Sequence, residues 1–176
     1  EIVNQGLRKG FLAQELSPDE LALPVWAFCQ GVPAFEGADP KALDRAARQV
    51  GLDAGLFWDD RPMSTLSGGE RVKLRLALLL LDEPDVLLLD EPSNDLDVAT
   101  LGWLEGFLLG CKVPVLYISH DEPLLEHTAN VIIHLERLRR RTAPRCTVAR
   151  TGYVQYVEQR AAGFARQEQN ARKERA

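Results

Sequence analysis

The chain has 176 residues, 45% of them apolar and 27% charged, with a formal net charge of −5, a balance ordinary for one globular domain with a real core. No run approaches the roughly 18 to 20 apolar residues that a membrane span needs, because Asp82 cuts the longest leucine stretch; a transmembrane helix is excluded. Charge is uneven: Arg137 to Ala176 hold 11 Lys/Arg against 3 Asp/Glu, while the remainder holds 10 against 23.

The acidic body cannot attract a polyanion, whereas the basic end could, although an exposed helix also carries such charge for solubility alone. The opening Glu-Ile-Val-Asn lacks the basic start and apolar core of a signal peptide, which points to a cytoplasmic setting. Cys29, Cys111 and Cys146 are widely spaced and match no ligand pattern; free buried thiols in a reducing compartment are expected.

In chain order, Gly10-Phe11-Leu12-Ala13 predicts a short strand that ends at Gln14 and Glu15. A polar side chain just past a strand can reach into a site, and it can equally be a plain loop residue. From Ser17 the pattern turns helical, with Pro24 as a first helical residue and Val25, Trp26 and Phe28 supplying bulk. A clearer helix follows, capped by Asp39, opened by Pro40, carrying Leu43, Ala46, Ala47 and Val50 at core spacing and stopped by Gly51. These segments read as a small helical lobe.

Leu66-Ser-Gly-Gly-Glu70 then leads into a run from Arg71 to Leu81. Its first half alternates basic and apolar as a strand would, but Ser67 as N-cap, the length, and Val72, Leu76, Leu79 and Leu80 on one face predict a helix. A serine hydroxyl and two side-chain-free amides at a helix start suit a phosphate, since unpaired N–H groups and the helix dipole both favour an anion. A plain N-cap followed by flexible glycine has the same sequence.

Val86-Leu-Leu-Leu-Asp-Glu-Pro92 is the stretch that organises the rest. Four branched apolar residues without polar alternation predict a strand buried on both faces, stopped by two adjacent carboxylates. Acids at the carboxyl end of a buried strand stand where an open α/β sheet binds its ligand. Asp90 could there hold Mg²⁺, and Glu91 could orient and deprotonate a water. Leu80-Leu81-Asp82-Glu83-Pro84 is a near-copy, but only Asp85 separates it from the apolar run. It is predicted to be the turn between helix and strand.

Asp97 caps a helix through Leu109, ended by Gly110, and Val113 to Ile118 predict a second buried strand that ends in Ser119, His120 and Asp121. His120 could there meet a terminal phosphate, while His127 and His134, without partners at ligand spacing, read as structural. Val131 to Ile133 and Arg145 to Arg150 predict further strands, and from Tyr153 the chain becomes a long polar helix.

Gln14, Leu66-Ser-Gly-Gly-Glu70, Val86 to Pro92, Ser93-Asn-Asp-Leu-Asp97 and Ser119-His120-Asp121, in this order, resemble the glutamine loop, signature, Walker B strand, D-loop and switch histidine of the ATP-binding cassette superfamily. The resemblance covers Gly10 to Asp121. It implies an α/β fold of the P-loop NTPase type, with a core sheet, a helical subdomain, a missing N-terminal portion and a C-terminal connector helix. It divides the chain into residues 1–16, the end of the N-terminal core segment; 17–81, the helical subdomain; 82–152, the α/β core; and 153–176, the start of a linker helix.

ATP and Mg²⁺ are the implied cofactors, with Asp90 and Gln14 on the metal and Glu91 as catalytic base. His120 would sense the γ-phosphate, and Gln14, Ser67, Gly68, Gly69 and Asp97 would contact nucleotide. The signature residues would meet ATP held by a second cassette, in tandem or as a dimer. Within the superfamily the chain is most similar to the first cassette of an ABC-F protein, the type that acts on ribosomes, through Glu70, the Asp-Glu-Pro-Ser-Asn-Asp-Leu-Asp form and Gly152 to Arg160 running into a charged helix. That group has Thr and His where this chain has Ser93 and Asp95.

A membrane-transporter subunit docked on a permease uses the same chemistry, and a non-hydrolysing binding module would keep the same fold. Gly-x-x-x-x-Gly-Lys-Ser/Thr, the phosphate loop of the superfamily, does not occur in the sequence. The chain is therefore expected to begin after it, and these 176 residues alone are expected neither to bind ATP tightly nor to hydrolyse it.

Overall fold

The computed structural model describes residues 6–136 and 145–173, the last nine as backbone alone. Part of the basic end, 137–144 and 174–176, and the first five residues lie outside that range. Two compact units meet in sequence at His120 and Asp121.

The first unit is built on a parallel sheet of three strands, β1 (Lys9–Leu12), β2 (Val86–Asp90) and β3 (Val115–Ile118), with β2 in the middle. Phe11 stands opposite Leu88 and Leu88 opposite Leu116, so all three carboxyl ends share one edge. Between β1 and β2 the chain makes α1 (Pro18–Ala22), α2 (Val25–Gln30), α3 (Pro33–Glu36), α4 (Pro40–Gln49), two 3₁₀ turns at Ala54–Trp58 and Met63–Thr65, and α5 (Gly68–Leu81). Pro24 is the N-cap of α2 instead of its first residue, so the helix starts one place later than expected. Asp39 caps α4 as predicted, its carboxylate accepting from the Ala42 N–H at 2.8 Å, and Gly51 follows α4 with φ +68°, a conformation that favours glycine.

Two expectations about burial are corrected. Leu87 and Leu89 are buried, but Val86, Leu88 and Asp90 on the other face of β2 are only half-buried. Helices cover the Leu12–Leu87–Leu89 side, whereas Phe11, Leu116 and Ile118 on the opposite side are exposed among the described residues. On α5 the fully buried side chains are Leu74, Leu76, Ala77 and Leu78, and Val72, Leu79 and Leu80 are partly buried. The helix meets β1 on one side and α3 and α4 on another. A helix enclosed on several sides is apolar around most of its circumference, which blurs a single-stripe pattern.

The near-copy at Asp82 to Asp85 is a turn, as its spacing predicted. Arg8 pins it: the Arg8 N–H donates to Asp85 Oδ2, the Asp85 N–H donates to the Arg8 carbonyl, each at 2.8 Å, and Arg8 Nη1 donates to the Asp82 carbonyl at 3.1 Å. Glu83 and Glu91, the corresponding residues of the two copies, both have φ +45°. Local sequence makes the same bend twice, and only the second lies at the end of a strand.

After β2, α6 (Val98–Gly110) starts from Asp97, whose carboxylate accepts from the Thr100 N–H at 2.8 Å. The second unit holds α7 (Glu122–Thr128), an antiparallel pair β4 (Ile132–Glu136) and β5 (Arg145–Ala149), and α8 (Tyr153–Lys173). His134 is structural there, packed near Tyr156 and paired with Arg160 beside Glu136.

Of the cysteines, only Cys29 is buried; Cys111 is half-buried and Cys146 exposed. Burial pushes the Cys29 thiol up to about 12, which withholds its nucleophilic thiolate. Titration with a disulfide reagent at pH 8 is expected to label Cys146 in the folded protein and Cys29 only after unfolding.

Candidate nucleotide site

The site is assembled at the carboxyl edge of the sheet. The Glu91 N–H donates to the Ile118 carbonyl at 2.9 Å, continuing the β2–β3 ladder one residue past Asp90. That bond and the left-handed turn at Glu91 bring its side chain to the residues after β3. Glu91 Oε1 lies 3.2 Å from His120 Nε2, and Glu91 Oε2 accepts from the His120 N–H at 3.2 Å. The carboxylate is sheltered, at 14% exposure, while the imidazole is 95% exposed. A base held by a backbone N–H beside an open ring can address a group arriving from solvent. A non-glycine residue at positive φ costs on the order of 1–3 kcal/mol and tends to mark functional sites.

Ser93 and Ser119 hydroxyls lie 2.9 Å apart and join the two loops a second time. Their pairing was not legible beforehand: the resemblance placed Ser93 in the D-loop and Ser119 beside the switch histidine without joining the two hydroxyls. Asp90 ends β2 half-buried. No group of three or more His, Cys, Asp or Glu suited to a metal occurs among the described residues. One carboxylate at the edge nevertheless fits Mg²⁺, which takes most of its ligands from water and substrate phosphates and not from an all-protein cage.

Gln14 stands two residues past Leu12, whose partner is Leu89, just as Glu91 stands two residues past Leu89. It also lines a pocket of about 220 Å³ with Gly68, Arg71, Arg75 and Asp95. Gln14 therefore shares the edge with the acids and a pocket with the signature helix.

Ser67 and Glu70 form a reciprocal cap: the Glu70 N–H donates to Ser67 Oγ at 3.2 Å and the Ser67 N–H donates to Glu70 Oε2 at 2.8 Å. The two glycines between them have a further cause. A Cβ on Gly68 would stand 2.5 Å from the Asp95 carbonyl oxygen, and one on Gly69 2.6 Å from Thr100 Oγ1. The start of α5 therefore touches the loop before α6, whose Asp95 has φ +58°. Neither phosphate affinity nor backbone flexibility had suggested that contact.

Hydrogen bonds from the Ser67 backbone and hydroxyl hold the Glu70 carboxyl below its ordinary value. A lowered folded value stabilises fully above the usual glutamate pKa of about 4.3 and is lost as pH falls through the folded value. Glu70→Gln is expected to flatten the acid limb of a pH–stability curve below that value.

Residues 5–94 match the ABC transporter family model, and the chain belongs to this family of ATP-binding cassettes. Three relatives illustrate its range. The chain is 42% identical over 135 residues to mRNA export factor elf1 of Schizosaccharomyces pombe, covering 72% of this chain and 12% of that one. It is 44% identical over 95 residues to energy-dependent translational throttle protein EttA of Escherichia coli K12, covering 54% and 16%. It is also 44% identical over 95 residues to the uncharacterised ABC transporter ATP-binding protein YfmM of Bacillus subtilis, covering 53% and 18%. The chain thus spans between a tenth and a fifth of the length of these relatives. Among solved structures, a complex of an archaeal ribosomal stalk protein with an archaeal ribosome recycling factor aligns with TM-score 0.61 and 20% identity, over 92% of this chain and 31% of that one. That likeness bears on the fold.

Proposed function

We infer that this chain is the hydrolysing part of an ATP-binding cassette, that it works against a second cassette, and that the protein is a cytoplasmic ABC-F factor acting on ribosomes. The Glu91–His120 contact at the end of β2 carries the hydrolytic reading, because it joins a sheltered carboxylate to an exposed imidazole. Asp90 would hold Mg²⁺, which when bound offsets phosphate charge. Glu91 would accept the proton of a water at its carboxylate, with His120 holding the carboxylate in place and facing the outer phosphate. Gln14 would complete the metal's surroundings, Ser67, Gly68 and Gly69 would face nucleotide on the paired cassette, and Asp97 would also contact nucleotide. Residues 17–81 serve as the helical subdomain and 153–176 as the beginning of the linker.

The ribosomal reading is supported by the name of the EttA relative, a translational throttle protein, and by the basic composition of the chain's end. Arginine contacts to RNA phosphates make such binding salt-dependent. The name of YfmM supports a second reading, the ATP-binding subunit of a membrane transporter. Sedimentation of the full-length protein with ATP separates the two. An ABC-F factor is expected to pellet with ribosomes and to be released as salt rises, whereas a transporter subunit pellets with membranes and leaves ribosomes free.

A further inference from the structure

Arg75 lies in the middle of α5, between the buried Leu74 and Leu76, and the expected roles leave it unused. Its Nη2 donates to the Ala13 carbonyl at 2.7 Å, across 62 residues of sequence. Burial pulls the guanidinium pKa down, and the charge of Glu20 pushes it partly back. Glu20 is itself fixed, because the Ser17 N–H and hydroxyl donate to its Oε2 at 2.7 and 2.8 Å. A guanidinium on α5 thus bonds to the start of residues 13–17, the irregular segment that joins β1 to α1 and contains Gln14, and attracts the Glu20 carboxylate to which Ser17, at the far end of that segment, donates. The same helix begins at Ser67 and touches the Asp95 loop through Gly68.

We propose that Arg75 is a positioning residue that fixes Gln14 relative to the signature end of α5, so that a shift of this helix is transmitted to Gln14. The inference rests on the reading of Gln14 as a nucleotide-site residue. Arginine suits the task because its planar guanidinium stays charged when partly buried and presents several donors in fixed directions, whereas lysine offers a point charge on a flexible stem.

The test uses the full-length protein with Arg75→Met, Arg75→Lys, Gln14→Ala and the Arg75→Met/Gln14→Ala double variant. Hydrogen exchange of the amides of residues 14–17 is expected to quicken about tenfold in Arg75→Met, the scale of one lost charge-assisted hydrogen bond, with partial recovery in Arg75→Lys and no change in β2. In ATP turnover, Arg75→Met is expected to lower kcat about tenfold with KM unchanged, and the double variant is expected to be no slower than Gln14→Ala alone, since coupled residues are not additive. Unchanged exchange at 14–17, faster exchange throughout the unit, or losses that multiply in the double variant would each overturn the proposal. Full turnover in Glu91→Gln would instead move the base to another residue, and the exchange measurement would still decide the role of Arg75.

Discussion

Glu91→Gln in the full-length protein is expected to slow ATP hydrolysis by roughly 10² to 10⁴, the usual range for loss of a general base, while ATP affinity stays within about twofold. Glutamine keeps the shape and the oxygen that accepts from the His120 N–H, but it cannot take a proton from water. An interaction needed only as the water is activated lowers kcat without weakening ground-state binding. Steady-state turnover together with equilibrium titration of a fluorescent ATP analogue measures both halves of the expectation. Full turnover would move the base to another residue. The substitution does not disturb the bend itself, because Gln meets the same cost as Glu at φ +45°.

Leu87→Ala is expected to destabilise the cassette by about 2–5 kcal/mol, the range for removing a buried leucine and leaving a cavity. Leu87 is fully buried on the middle strand of the sheet. Its Cδ2 also fills the space above Gly10, where a Cβ would stand only 2.7 Å away. Leu88→Ala, one residue along on the half-buried face, is expected to cost clearly less, under about 1.5 kcal/mol, because part of its surface is already in water. A lower denaturant midpoint at unchanged m-value, larger for Leu87 than for Leu88, is the confirming result. Equal losses would mean that both faces of β2 are covered in the full-length protein.

Three helix starts, those of α4, α5 and α6, were legible in the sequence because capping is local. Asp39, Ser67 and Asp97 bond to backbone amides three residues on, and a reader of sequence sees all the atoms involved. The run from Val86 to Leu89 was equally plain, and Asp85 separated a strand end from its near-copy by spacing alone. Period was weaker evidence on α5, which three neighbours enclose.

Local order of residues thus determined the elements, the paired acids at the end of β2 and the membership of the ATP-binding cassette family. Tertiary structure alone decided which elements meet and by which atoms: β2 between β1 and β3, one covered face instead of two, the bonds by which the expected neighbour His120 meets Glu91 from 29 residues away, and Arg75 on the Ala13 carbonyl. Each of these depends on contact between segments whose sequences carry no mark of one another. Hydrogen bonding and burial between distant residues arise only once the chain has closed on itself, so a pattern read along one segment cannot contain them.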